Sequence, residues 1–592
     1  MNGFVPYLNS TNNVGGNSTG SLAESQVKSP FFNQVKVDRK LGTYISDSVR
    51  GRDYKAFILT GHAGDGKTSV LVQVLEELGY IQLGEGLAAE KEYSDFYYVK
   101  DMSEIAEYNQ ELTLKKALTA PQGGKTSLLI SNTGPLIKAF IALVTTEKEQ
   151  LGEKLSEDDR IDLQSALLTQ LDKNEDREIT ICGHSFILIN IARVDNVCFA
   201  KKILKRILDE QLWTPCGECV CKDRCPIKHN RDMVERQFER VSLFVESFYR
   251  YLYENDKRMT LRQMVGQLGY ALTGNLSCTE IGKKYLKEPF FNYNFANLFF
   301  GYCGLEKKQD ASQIKGIEQI QLLELDQIAL DVDYSVFVNQ NYKAFYQDIQ
   351  ELLTNLRTKY RKHYQVSFED EANTIREQET ENRLRRAMRR FYLMYSLDDN
   401  DSATESLLNQ VFGANFSDYT KMIYTRQPKH VLRKLQAMIF QALYIKNTGS
   451  HPNNQSELPL TLRREDDVFQ NVMLVLGRVS KNDLEIVQIP VESKFEDAED
   501  KQSLFLRLNN DYFRLSLPMV SYFQKLIDGA IASNSNPALT HGIATLDAML
   551  LEKFGDDIPQ SEEDCEMRVI INTTSGQDYE VFSFSNGQLD IL

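Results

Sequence analysis

Residues 56–78 read as strand, glycine loop and helix, and no other stretch limits the folding options as much. Ala56–Thr60 is a short apolar run with strand character, and Val70, Leu71, Val74 and Leu75 recur at helical spacing. Between them lies Gly61-His-Ala-Gly-Asp-Gly66-Lys67-Thr68, a complete G-x-x-x-x-G-K-[ST] pattern. Glycines allow backbone conformations that aim successive N–H groups into one concavity, and the following helix contributes its own N-terminal donors. The pattern predicts a phosphate-binding loop that takes ATP, built from Gly61, Gly64, Asp65, Gly66, Lys67, Thr68 and Ser69. Lys67 would reach the β and γ phosphates, and the Thr68 hydroxyl would hold Mg²⁺. Gly124-Lys125-Thr126 ends in the same way, but Thr119 stands where the first glycine belongs and a strand follows. It is set aside.

Such a loop needs a carboxylate at the end of a neighbouring strand to place the metal ion. Phe96-Tyr-Tyr-Val-Lys-Asp101 fits, with Glu104 positioned to orient an attacking water; Asp101-Met-Ser-Glu104 is also a capping-box spacing. A further apolar strand ends in Ser131-Asn132-Thr133-Gly134. Asn132 is the candidate contact to the γ-phosphate or the water, against the plainer reading of a turn. Arg258-Met-Thr260-Leu-Arg262 opens a helix, and Arg262, then Arg258, is the cation expected over the phosphates. The expected catalytic set is therefore Lys67, Asp101, Glu104, Asn132 and Arg262.

The second dense motif is Cys216-Gly-Glu-Cys219-Val-Cys221-Lys-Asp-Arg-Cys225-Pro-Ile-Lys-His229. Thiolates so close destabilise one another unless a cation holds them, and tetrahedral Zn²⁺ is the usual solution. Cys216, Cys219 and Cys225 are the firmest ligands, completed by Cys221 or His229. The expected role is structural; an iron–sulfur cluster is the competing reading. Cys182, Cys198, Cys278, Cys303 and Cys565 are scattered and read as reduced core thiols.

With 592 residues, one core is too few, so several domains are expected. The reading is an α/β fold: a P-loop, AAA+-like NTPase core with a zinc-binding insertion and helical lid, then a mixed α+β C-terminal region. Its segments are a flexible arm (1–30), the core (31–230, insertion 213–230), the lid (231–310), a charged helical domain (311–450) and an α+β domain (451–592). Phe186–Ile191 reads as a strand of the sheet, with the alternative that 179–191, broken at Gly183-His184, is a hairpin insertion. No apolar run is long enough to span a bilayer and no secretory signal is evident, so the cytoplasm is the expected compartment. A net charge of −15 disfavours nucleic acid and anionic membranes over the general surface. Contact with DNA would need a local basic patch, for which Arg383, Arg385, Arg386, Arg389 and Arg390 are available, or a partner protein. The plainer reading of those arginines is a solvated helix face. Asp483…Glu492-Ser-Lys494 superficially matches a nuclease signature, but Pro490 interrupts the strand and an acidic loop follows.

Taken in order, the Gly-His-x-Gly-Asp-Gly-Lys-Thr loop, Lys100-Asp101-x-Ser-Glu104, Asn132-Thr-Gly134, the Trp213-x-x-Cys…Cys-Pro-Ile cluster and Thr260-Leu-Arg262 form a series. Across residues 30–300 it resembles the DptF family of DNA phosphorothioation-dependent restriction ATPases and related bacterial defence ATPases. The resemblance implies ATP hydrolysis by Lys67, Thr68, Asp101 and Asn132. It also implies work within a restriction complex with a second ATPase or helicase and a nuclease. A homo-oligomer remains open as a partner. The rival function is a nucleotide-dependent switch or scaffold that recruits an effector and turns over little ATP.

Overall fold

The computed structural model describes residues 1–12, 29–81, 86–343, 345–363, 371–396, 401–462, 471–529, 537–555, 564–573, 576–585 and 588–591. By internal contacts the chain divides into two units. One comprises Met1–Asp401 with Glu492–Ala498, the other Ser402–Val491 with Glu499–Leu592. The division falls inside the region 311–450 that was expected to be one helical domain.

The first unit is mixed α/β. Its six-stranded sheet contains β1 (Ala56–Thr60), β2 (Glu90–Glu92), β3 (Phe96–Val99), β4 (Thr126–Ile130), β5 (Ile179–Ile181) and β6 (His184–Asn190), in the order β2-β3-β4-β1-β6-β5. The four middle strands are parallel, and β2 and β5 pair antiparallel at the edges. Every residue of β1, β3 and β4 is buried, as expected for parallel strands covered on both faces. Side chains alternate between the two layers. Ala56 and Ile58 of β1 join a core with Leu114, Phe140 and Leu167 from the helices Glu107–Thr119, Thr133–Gln150 and Glu157–Lys173. Phe57 and Leu59 join Leu41, Ile45, Val70 and Leu71 from Lys40–Arg50 and Lys67–Glu77.

Both readings of residues 179–191 hold at once. β5 and β6 form a hairpin turned at Cys182 and Gly183, both at positive φ, and β6 also enters the parallel sheet beside β1. Cys182 is exposed in that turn, so it is no core thiol.

The flexible-arm expectation fails for the residues described. Phe4–Ser10 is a helix with Phe4, Val5, Tyr7 and Leu8 buried. It lies against the helix Leu261–Thr273, where Gly266 and Gly269 allow close approach. A Cβ at those two positions would meet Thr11 O at 3.0 Å and Leu8 O at 3.3 Å. The Phe4 ring packs edge-on to Trp213 at 5.6 Å. The Asn-, Gly- and Ser-rich composition of residues 1–30 obscured the short apolar pattern Phe4-Val5-x-Tyr7-Leu8; the remaining residues 13–28 lie outside those described.

The arginine-rich helix Glu371–Tyr395 also departs from expectation. Arg390 is fully buried and donates to Asp326 Oδ2 at 2.6 Å, Asn297 Oδ1 at 3.0 Å and Gly304 O at 3.0 Å. Arg389 forks onto Asp333. These two are internal ties, neither a solvated face nor a nucleic-acid patch. Arg383 and Arg385 are exposed and paired with Glu306 and Glu381.

The second unit combines helices with two antiparallel sheets. One has five strands in the spatial order Gln588–Ile591, Gly576–Ser585, Asp564–Thr573, Val472–Ser480 and Glu457–Leu462. The other has three, Leu484–Pro490, Gln502–Leu508 and Asp511–Arg514. Among the described residues no helix is long and apolar enough to cross a membrane.

If the N-terminal helix belongs to the core, Phe4→Ala should lower the unfolding free energy by about 3–5 kcal/mol. Denaturant titration would measure this; an unchanged midpoint would return these residues to the status of an arm.

Candidate functional site

The carboxyl ends of the parallel strands share one edge of the sheet, the place where open α/β sheets bind ligands. Gly61–Gly66 follows β1, Lys100 and Asp101 follow β3, Asn132 follows β4, and Ile191 follows β6. A cavity of about 700 Å³ opens there. Its polar side is formed by Gly64, Gly66, Lys67, Thr68, Ser69, Lys100, Asp101, Glu104, Asn132 and Arg262. The rest of its lining is largely apolar, with Tyr7, Phe32, Val35, Val37, Ile203, Leu261 and Val265.

The glycine loop takes its shape from three residues at positive φ, Gly61 (149°), Gly64 (90°) and Gly66 (89°). Space demands glycine as well: a Cβ on Gly61 would stand 2.4 Å from Ile191 Cγ2, and one on Gly64 would stand 3.0 Å from Thr260 Oγ1. Gly66 then opens the helix Lys67–Glu77 without a side-chain cap. The first N–H groups of that helix have no intrahelical acceptor, so an anion is their natural partner.

Lys67 is nearly buried. Its Nζ donates to Gly61 O at 2.6 Å, His62 O at 3.1 Å and Asn132 Oδ1 at 3.4 Å. Burial lowers the Lys67 pKa, against the pull of the Asp65 and Asp101 carboxylates. The ammonium therefore sits folded over its own loop, an arrangement that an incoming polyanion would rearrange. Asn132 precedes the helix Thr133–Gln150 but makes no capping bond; its Oδ1 faces Lys67 instead of serving a plain turn.

Asp101 stands at the cavity without forming a reciprocal capping box with Glu104. It borders the cavity, and its Oδ1 accepts Ser103 N at 2.9 Å and Ser103 Oγ at 2.8 Å. Glu104 also borders the cavity, but its Oε2 is 2.8 Å from Lys100 Nζ. Arg262 lines the cavity, its N donates to Gly64 O at 3.3 Å, and burial lowers its guanidinium pKa.

Three expected residues take other places. Asp65 does not face the cavity: it is completely buried, and Oδ2 accepts His62 N at 2.8 Å while Oδ1 accepts Arg258 Nη1 at 2.6 Å. Arg258 Nη2 goes on to Ile191 O at 3.0 Å. The pair holds the loop from behind, so Arg258 is a brace and not a phosphate contact. Gly61 likewise contributes its carbonyl to Lys67 and not a wall of the cavity. Sequence reasoning missed the apolar wall altogether. Tyr7, Phe32, Val35 and Val37 precede the motif, and nothing in their local pattern sets them apart from ordinary core residues.

The cysteine motif lies in the same unit. Cys216 ends the helix Glu210–Gly217, and Cys225 precedes Pro226–Arg236. Among the described residues no three His, Cys, Asp or Glu side chains are gathered closely enough to hold a metal ion. Cys216, Cys219, Cys221 and Cys225 therefore do not form a finished ligand set. Cys221 Sγ accepts Arg224 Nη2 at 3.5 Å, and the His229 ring packs on Phe290 at 4.5 Å.

Comparison with known proteins returns no matching family model, no matching curated protein and no matching solved structure.

The Asp65–Arg258 pair is buried on the Asp65 side, so removing one partner strands a charge. Arg258→Met should cost about 3–5 kcal/mol in chemical denaturation. Adding Asp65→Asn should recover part of that loss, because no uncompensated carboxylate remains. Equal costs for the single and double variants would contradict the brace.

Proposed function

We propose that the chain is a P-loop, AAA+-like ATPase that binds ATP in this cavity. The observation that carries the reading is the convergence of Lys67, Thr68, Asp101, Asn132 and Arg262 on one cavity, contributed by four separate segments. Triphosphate would lie along the glycine loop and the start of the helix Lys67–Glu77, with the base and ribose toward the apolar side. Lys67 would leave the Gly61 and His62 carbonyls for phosphate oxygens. Asn132 would then be released to hold the attacking water or a γ-phosphate oxygen. Arg262, at the start of the helix Leu261–Thr273, would offset the charge that develops on the transferred group.

The donor set also suits Mg²⁺, a hard cation that takes oxygen ligands. The Thr68 hydroxyl and the Asp101 carboxylate both border the cavity and would hold it, and the ion would neutralise charge on the β and γ phosphates. By the family resemblance, hydrolysis would drive conformational change in a DNA restriction complex with a second ATPase or helicase and a nuclease. DNA would be reached through those partners.

One observation favours the second reading, a switch or scaffold of low turnover. Glu104, the expected water-orienting carboxylate, is paired with Lys100.

Two variants separate these readings. Lys67→Ala should abolish measurable ATP binding by calorimetry and reduce phosphate release on the order of 10²–10³-fold. Glu104→Gln should preserve binding yet cut phosphate release by at least about 10²-fold if Glu104 acts on the water. Turnover unchanged by Glu104→Gln would remove Glu104 from the chemistry. Biological activity that survives a complete loss of turnover would establish the switch. Unaltered ATP binding by Lys67→Ala would defeat both readings.

A further inference from the structure

The second unit contains a stretch whose charge runs against that of the whole chain. From Tyr419 to Ser456 there is no Asp or Glu, although 83 of the 592 residues are acidic. The same stretch carries Lys421, Arg426, Lys429, Arg433, Lys434 and Lys446. Two of these are paired from elsewhere: Lys421 with Glu405 at 2.6 Å, and Lys446 with Asp547 at 2.6 Å. Arg426, Lys429, Arg433 and Lys434 are exposed, and none of the four has an ion-pair partner among the described residues. The strands packed against the helix Lys429–Thr448 offer little compensation. Glu457 of Glu457–Leu462 pairs with Arg478, and Glu485 of Leu484–Pro490 pairs with Arg507.

Helical spacing gathers these cations. Lys429 and Arg433 are four residues apart, on adjacent turns of one face, and Lys434 is beside them. Leu435 and Ile439 lie on the opposite face and are buried. No residue from Lys429 to Lys434 is buried, so the start of this helix stands clear of the core. The turn that carries Arg426 is fixed from the neighbouring strand. Gln488 Oε1 accepts Gln427 N at 2.7 Å, and Gln488 Nε2 donates to Met422 O at 2.6 Å and to Thr425 O at 3.1 Å. Cations at a helix start oppose its dipole, and here no acidic residue in the first turn and no side-chain cap offsets them. The arrangement does nothing for the helix alone and suits an anionic partner.

We propose that Arg426, Lys429, Arg433 and Lys434 bind the phosphate backbone of double-stranded DNA. On a chain of net charge −15, such a patch is what lets a polyanion approach at all. The exposed helix start matches the major groove of B-form DNA, which admits an α-helix; the deep, narrow groove of A-form RNA does not. Single strands are held by stacking on aromatic side chains, and no aromatic residue is exposed between Tyr419 and Lys434. Insertion at a membrane surface needs a free apolar face on the helix, and Leu435, Ile439 and Leu443 are buried in the core. Contacts of this kind position the duplex and read no base sequence. They belong to the chain itself, in addition to any DNA reached through partner proteins, and they do not depend on the ATPase reading.

Fluorescence anisotropy with the full chain and a labelled, mixed-sequence DNA duplex tests this, with no nucleotide present. Affinity should fall as salt rises, with a slope of log K against log[salt] of about −3 to −4, as for roughly four phosphate contacts. Arg433→Gln combined with Lys434→Gln should weaken binding about tenfold and make the slope shallower by about 2. Arg383→Gln combined with Arg385→Gln removes the same charge from exposed side chains that are already ion-paired, and should bind as the wild type does. Duplex RNA, single-stranded DNA and phosphatidylserine vesicles, each at equal phosphate concentration, should bind more weakly than the DNA duplex. No binding by the wild type at low salt, equal losses in the two double variants, a slope unchanged by Arg433→Gln with Lys434→Gln, or tighter binding of any of the three competitors would each overturn the proposal.

Discussion

A single buried carboxylate organises the sheet edge. Asp65 is inaccessible to solvent, and a charge in that position persists only if it is paired and hydrogen-bonded. Its partners come from separate parts of the chain: the His62 N–H within the loop, and Arg258 before the helix Leu261–Thr273. Arg258 reaches onward to Ile191 O at the end of β6. Arg39 Nη2 approaches Asp65 O at 3.4 Å and also donates to Asn196, whose Nδ2 is 3.4 Å from Met259 O. The loop, the strand end, the segment before the helix Leu261–Thr273 and the segment before Lys40 are therefore held together by these bonds.

That coupling gives the cavity a mechanical meaning. The helix Leu261–Thr273 meets the loop through Arg262 N to Gly64 O and through Leu261, which stands 3.2 Å from where a Gly66 Cβ would be. Lys67 satisfies itself on loop carbonyls and on Asn132. A polyanion competing for Lys67 would alter the contacts of β4's end and of the loop together.

The chemistry at the ends of the strands was the most legible part of the sequence. Glycines at 61, 64 and 66, a buried apolar strand before them and an amphipathic helix after them are local features, each with a local cause. The candidate residues Asp101 and Asn132 were legible because an apolar strand that ends in a polar residue announces an edge of the sheet. Other features were misread because their partners are distant. Asp65 stands in the glycine loop among the phosphate-facing residues, but Arg258 holds its carboxylate from behind. Arg390 looked solvated, yet Asp326, Asn297 and Gly304 enclose it. Phe4 lay in a segment whose composition suggested an arm, and its burial depends on Trp213 and on the glycines of a helix far along the chain.

By itself the sequence determined the strand–loop–helix unit, the alternation of strands and helices, and the residue types that face the cavity. Those follow from backbone freedom and from periodicity, which act over a few residues. Only the tertiary structure decided which charges are braces and which face the cavity, and what forms the apolar part of its lining. Burial and pairing over long sequence distances depend on chain packing, and no local pattern encodes them. The glycine loop is written in its own eight residues; the carboxylate that holds it in place has a role only because Arg258 arrives from another part of the chain.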